Sequence, residues 1–165
     1  MAELLVMRHG KSDWSTGLVD FERPLARRGH DNAPEMAQWL LDADLVPDAI
    51  LTSAATRALM TATHVAETVG LDVDVMDVRD DLYMASAHNW LNVLSEHQTD
   101  HRLLICGHNP GLDDLVEYLS ADELRYTGDG KLMTTAAIAA FAVESWDELG
   151  HRSARLLHLM RPREL

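Results

Sequence analysis

Apolar residues in this chain come in short blocks, and the blocks alternate between two kinds of spacing. Leu4-Leu5-Val6-Met7 is an unbroken run that ends in Arg8-His9-Gly10, and Arg102-Leu103-Leu104-Ile105-Cys106 is a second that ends in Gly107-His108-Asn109-Pro110-Gly111. Runs of this length, closed by turn residues, predict strands buried on both faces. Ala49-Ile50-Leu51 is a shorter run of the same kind. Between the runs the period changes. Ala33, Met36, Ala37, Leu40 and Leu41 recur at i, i+3, i+4, i+7 and i+8, the stripe of an amphipathic helix. Ala54, Ala58, Ala62, Val65 and Val69 mark a second helix, with Thr52-Ser53 offered as its N-cap and Gly70 as its stop. Ser86 caps a third helix carrying Trp90, Leu91 and Leu94. Leu112, Leu115, Val116 and Leu119 give a fourth, with Asn109 as its N-cap and Pro110 at its first helical position.

The remaining segments complete the pattern. Val73, Val75 and Val78, interleaved with aspartates, predict a half-exposed third strand. Ser12 to Gly29 is a long connection without period, the kind that is usually functional or mobile. Thr127 to Lys131 is a glycine-containing loop, and Thr135–Val143 and Ala154–Met160 read as two final strands. With no helix between them, these two suit a hairpin at one sheet edge. Strands alternating with helices over most of the chain predict an α/β fold: three layers, α/β/α, around a mostly parallel sheet. No repeat and no linker rich in Gly, Ser or Pro divides the chain, so residues 1–165 are read as one domain.

Composition narrows the function. The hydrophobic content of 47% over 165 residues suffices for a full core. The net charge of −13 argues against a nucleic-acid partner, because binding a phosphate backbone needs a basic surface. It also means that any anion site must be a local basic pocket in a negative field. One cysteine, Cys106, permits no internal disulfide and fits a reducing compartment. No basic leader with an apolar segment and cleavage site is seen, and no apolar run approaches the ~18 residues of a membrane span. The expected location is the cytoplasm, with no membrane association.

The chemistry collects at the predicted strand ends. The first strand delivers Arg8 and His9, with Gly10 allowing backbone to approach a ligand. The second, through the first turn of its helix, delivers Arg57, and the fourth delivers His108 beside Asn109. In a parallel sheet these carboxyl ends lie on one side, where open α/β sheets bind ligands. Two guanidinium groups hold phosphoryl oxygens with fixed charge and paired donors. Phosphoryl transfer needs little beyond positioning and charge stabilisation, so the set suffices without a metal or other cofactor.

Those residues resemble a known family. Arg8-His9-Gly10 after an apolar strand, Ser53 to Arg57-Ala58 with Thr61, and Gly107-His108-Asn109-Pro110-Gly111 look like the histidine phosphatase, or phosphoglycerate-mutase-like, superfamily. Lys11-Ser12-Asp13-Trp14, Arg23-Pro24-Leu25, Arg28-Gly29, Leu82-Tyr83 and Thr135-Ala136-Ala137 are similar to its small SixA-type phosphohistidine phosphatases. The resemblance runs in order over nearly the whole chain. It implies that His9 is the nucleophile, that Arg8 and Arg57 hold the phosphoryl oxygens, and that His108 completes the pocket; Gly10 and Asn109 are counted with the substrate-binding set. It leaves open which ring nitrogen of His9 attacks. The superfamily's phosphomonoesterases often carry a glutamate after the third strand. Here that region reads Arg79-Asp80-Asp81, so Asp81 is the first candidate for general acid and Asp80 the second, with a solvated turn as the alternative. Arg23 is open between lining the site and being solvated, Arg28 is read as structural beside a turn glycine, and Lys11 and Thr135 as exposed lysine and strand residue or as neighbours of the pocket. The substrate implied is a phosphohistidine protein, with a small phosphoester as runner-up. A phosphoprotein-binding module without turnover is the non-enzymatic alternative, and a mutase is disfavoured by the short chain.

Rival chemistries lack their partners. A cysteine phosphatase needs an arginine soon after its cysteine, and Gly107 to Leu112 contains none. Asp72-Val73-Asp74-Val75 resembles an aspartate-nucleophile signature but follows a helix end rather than an apolar strand. His97 and His101 have suggestive spacing, but no paired cysteines or His-Glu-x-x-His motif accompany them.

Overall fold

The computed structural model describes residues 1–97 and 101–165. Six strands form one sheet in the order β3-β2-β4-β1-β5-β6, where β1 is Ala2–Arg8, β2 Ala49–Ser53, β3 Asp77–Arg79, β4 Arg102–Gly107, β5 Ile138–Val143 and β6 Arg155–Met160. The pairs β1/β4, β4/β2 and β2/β3 are parallel. β5 runs antiparallel to β1, and β6 antiparallel to β5, joined by a connection that holds one 3-10 turn, Trp146–Glu148, and no α-helix.

Alternation of side chains along each strand makes two cores. Leu4 and Val6 of β1 face one way and pack with Leu103, Ile105 and Phe141 beneath α3 (Ala87–Leu94) and α4 (Gly111–Leu119), around Trp90 and Leu115. Leu5 and Met7 face the other way, with Leu104 and Cys106, beneath α1 (Arg27–Asp42) and α2 (Thr56–Val69), around Met36, Leu40 and Val65. Covering both faces explains why β1 and β4 read as continuous apolar runs, and it produces the α/β/α layering expected from the sequence.

The register fixes what meets at the carboxyl edge. Arg8 is level with Gly107, and Thr52 with Cys106. The residues that follow, His9, Ser53 and His108, are therefore neighbours at the ends of three adjacent strands.

Several local boundaries differ from the sequence pattern. Val73–Val75 is a 3-10 turn, and the third strand is only Asp77–Arg79. The Asp72 carboxylate accepts the Asp74 N–H at 2.9 Å, and this local bond winds the chain out of an extended path. Ser53 still belongs to β2, and α2 begins at Thr56 with Ala55 as N-cap. Pro110, not Asn109, holds the N-cap position of α4, although the Asn109 Oδ1 still accepts the Asp113 N–H at 3.1 Å. β5 starts at Ile138 rather than Thr135 because Ala136 takes a left-handed φ of 63° that breaks extension. Gly29 is not a turn glycine but lies in the first turn of α1, where a Cβ would come within 2.3 Å of the Lys11 carbonyl oxygen. It is the close approach of helix to loop, not backbone freedom, that requires glycine there.

The long Ser12–Gly29 connection is tied down. Ser12 and Leu25 form an antiparallel bridge, and Arg23 NH1 donates to Ser12 Oγ. Its middle, the single turn Asp20–Glu22, is thereby held over the carboxyl edge of the sheet against α2.

Candidate functional site

His9 follows β1 and is 7% exposed. Its Nδ1 lies 2.7 Å from the Gly10 carbonyl oxygen, an acceptor only, so Nδ1 carries the proton and donates it there. Nε2 is left with its lone pair, facing the Nε–H of Arg57 across a long 3.4 Å contact. Burial, with smaller contributions from His108, Arg8 and Arg57, pushes the imidazole down to about 3. His9 is therefore neutral, with one free ring nitrogen. Those are the requirements of a nitrogen nucleophile, and the atom left open by the sequence is Nε2.

His108 lies beside it, with ring centroids 5.2 Å apart, and is 1% exposed. Burial and then the Arg57 charge push it down to about 4. Its Nε2 is 2.9 Å from Ser53 Oγ. That oxygen also accepts the Ala55 N–H at 3.2 Å, which leaves its hydroxyl proton available to the imidazole. A neutral His108 then carries its proton on Nδ1, which is buried and has no partner. An unsatisfied buried donor on the ring next to His9 suits an oxyanion held by the two imidazoles.

Two arginines complete the basic wall. Arg8 donates from NH1 to the Met133 carbonyl at 3.1 Å, while its buried Nε has no partner. Arg57, at 3% exposure, reaches the site from the first turn of α2. Its NH1 donates to the Asp20 carbonyl at 2.7 Å and its NH2 to Asp20 Oδ2 at 3.0 Å. Asp20 also accepts from Arg23 NH2 at 2.9 Å and from the Tyr83 hydroxyl. The Tyr83 hydrogen bond, with Arg23 and Arg57, holds this carboxyl far below the usual carboxylate range. Arg23 is itself buried, its guanidinium stacked 3.6 Å over the Trp14 ring.

The structure thus brings together Arg8, His9, Arg57 and His108. It does not bring in the other sequence candidates. Gly10 gives its N–H to Thr61 Oγ1 at 3.0 Å and its carbonyl to His9, so its backbone positions the histidine instead of meeting a ligand. Asn109 is used at both ends, donating to the Met133 carbonyl at 3.0 Å and accepting from Asp113. Asp81 is a correction of a different kind. Its carboxylate, 59% exposed, is bound by Arg79 at 3.0 and 2.7 Å, which lowers its pKa. No hydrogen bond or ion pair joins Asp81 or Asp80 to the imidazoles. A carboxyl kept ionised by its neighbour has no proton to give, so neither the position nor the protonation state fits a general acid. The solvated-turn alternative describes this segment.

Asp20, Ser53 and Tyr83 are the members whose parts in this site sequence reasoning missed. Ser53 and Tyr83 stood inside recognised motifs without a role. Asp20 lies in an aperiodic loop, and only its spacing of three from Arg23-Pro24 hinted at it. Among the rivals, Cys106 is a core residue, its thiol pushed up to about 12 by burial. Asp72 and Asp74 lie in an exposed turn. Among the described residues no group of three His, Cys, Asp or Glu side chains is placed to hold a metal ion.

The profile of the histidine phosphatase superfamily (branch 1) matches residues 4–83. An uncharacterized protein of Mycobacterium tuberculosis is 34% identical over 118 residues, 70% of each chain. The solved structure of the protein histidine phosphatase SixA complexed with tungstate shares the fold, with a TM-score of 0.81 at 23% identity over 98% of this chain and 97% of that one. A phosphoserine phosphatase from Entamoeba histolytica, in complex with 3-phosphoglyceric acid, shares it more distantly, with a TM-score of 0.59 at 14% identity over 98% of both chains.

Proposed function

This chain belongs to the histidine phosphatase superfamily, and we propose that it is a phosphatase acting on protein phosphohistidine through a covalent intermediate on its own His9. In the first step the His9 Nε2 lone pair attacks phosphorus, and the bond from phosphorus to the substrate's imidazole nitrogen breaks. The electron pair of that bond stays with the departing imidazole, which carries its own proton. In the second step water attacks phosphorus, inorganic phosphate leaves, and His9 Nε2 recovers its lone pair. Arg8, Arg57 and the Nδ1–H of His108 face the oxygens whose charge builds up in both steps.

The observation that carries the phosphohistidine reading is the state of Asp20. It is the one carboxylate bonded into the histidine–arginine network among the described residues, and three donors hold it ionised. An ester oxygen leaves well only when protonated, and this pocket presents no carboxylic acid to protonate it. A phosphohistidine ring carries its proton on the nitrogen not bonded to phosphorus; this phosphorylated imidazolium is attracted by a fixed carboxylate at the rim and departs as neutral imidazole with no acid needed.

The test is a comparison of substrates. A phosphohistidine polypeptide should be turned over with a kcat/KM at least about a hundredfold above that for an alkyl phosphomonoester such as phosphoserine, the scale of one absent general acid. Faster turnover of small phosphoesters would move the assignment to the runner-up, the class named for the Entamoeba relative. Binding of phosphohistidine protein without turnover, unchanged in His9→Ala, would identify a binding module. A chelator should leave turnover unchanged, because guanidinium groups supply the charge that a metal supplies elsewhere. A cytoplasmic location is part of the same proposal, on the ground of a single, buried cysteine.

A further inference from the structure

A second concavity of about 860 Å³ adjoins the phosphoryl pocket and shares one wall with it, the Arg8 side chain. It lies between the start of α1, the 127–135 segment and the turn Pro162–Glu164. Its charge is opposite to that of the molecule. Six of the chain's 14 Lys and Arg residues line it, against two of its 27 Asp and Glu residues. Both carboxylates are already neutralised: Asp129 pairs with Lys131 at 3.6 Å, and Glu164 is bridged by Arg125 and Arg161. Lys11, Arg28 and Arg163 line the same space and make no side-chain hydrogen bond or ion pair with any described residue.

The wall is built, not frayed. Arg161 is 2% exposed and donates to the Leu132 carbonyl at 2.9 Å and to Glu164 at 3.1 Å, locking the C-terminal turn to the loop opposite. Unneutralised cations gathered on a fixed wall repel one another, and that cost is offset only when an anion lies among them. The volume exceeds what one phosphoryl group fills, and the phosphoryl group already has its own place on the far side of Arg8.

We propose that this cleft is a docking site for an acidic polypeptide segment flanking the target phosphohistidine. The inference rests on the phosphohistidine reading above and adds the class of protein selected. An extended acidic segment lays its carboxylates along Lys11, Arg28, Lys131 and Arg163 while the phosphoryl group passes Arg8 to reach His9. On a surface that otherwise repels acidic partners, the cleft gives both the orientation and the steering of the encounter.

Two synthetic peptides test it, each with a single phosphohistidine, one flanked by glutamates and the other by glutamines. The wild-type protein should show a kcat/KM about tenfold higher for the glutamate peptide at low salt, and the advantage should shrink as salt rises. The triple variant Arg28→Glu/Lys131→Glu/Arg163→Glu changes three exposed residues outside the phosphoryl pocket. It should abolish the advantage and leave the glutamine peptide's rate unaltered. Equal wild-type rates on the two peptides, or an advantage that survives in the triple variant, would overturn the docking site and leave the phosphohistidine reading standing. Inorganic tripolyphosphate hydrolysed faster than either peptide, with the same dependence on the three cations, would assign the cleft to a small polyanion instead. Failure on both peptides with turnover of p-nitrophenyl phosphate would overturn the phosphohistidine reading itself.

Discussion

His9 has one proton and one lone pair, and the 2.7 Å contact of Nδ1 with the Gly10 carbonyl decides where each resides. From pH 8 down to pH 5 its imidazole should remain the neutral Nδ1–H tautomer, because burial pushes it down to about 3. Long-range proton–nitrogen correlation spectra read this directly; an imidazolium pattern appearing near pH 6.5 would contradict it. Asp20 makes a second residue-scale prediction. Its carboxylate occupies the NH2 of Arg57, so Asp20→Asn should tighten inhibition by tungstate about tenfold, the effect of removing one charge several ångströms from an anion at intermediate dielectric. The same substitution should narrow the preference for phosphohistidine over phosphoserine. Asp81→Asn, which removes only an exposed partner of Arg79, should leave turnover within about twofold. Residues whose chemistry sits at a strand end, such as His9 and His108, were legible in the sequence because apolar runs point at them. Asp20 and the hydroxyl of Ser53 were not, since their meaning lies in hydrogen bonds across 37 and 55 positions of chain.

Among the elements, α1 and the loop before it are the coupled pair. Gly29 lets the helix approach the Lys11 backbone, and Gly10 packs on Gly29 as well, with a Cβ there coming 3.0 Å from the Gly29 Cα. Gly29→Ala should lower unfolding free energy by about 2 kcal/mol, as overpacking against backbone does, and should reduce turnover by displacing His9. Urea titration and an assay on one preparation check both. Loss of stability without loss of turnover would mean that the helix does not position the histidine. The central strands were readable here because burial on both faces demands apolar runs. The third strand was misplaced because Val73 and Val75 alternate with aspartates like a strand, and the Asp72 side chain overrides that pattern locally. The Gly29 contact is invisible to sequence for a related reason: a turn glycine and a packing glycine look alike until the partner backbone is placed.

For the whole molecule, two opposed charge distributions coexist, a surface of net −13 and a basic region around Arg8 that continues into the cationic cleft. Stability should follow from the buried imidazoles. Both His9 and His108 titrate well below the ordinary 6.5 when folded, so between pH 6.5 and about 4 the unfolded chain binds more protons than the folded one. Thermal midpoints should accordingly fall as pH drops from 7 to 4, and the fall should be shallower in His108→Asn. A midpoint that rises over that range would contradict the buried neutral pair. The most direct measurement is to mix the protein with a ³²P-labelled phosphohistidine polypeptide and quench in alkali, where phosphohistidine survives. Label should appear on His9, at Nε2, and none on His9→Ala. An active protein that never carries that label, or an equal label on His9→Ala, would contradict transfer through His9.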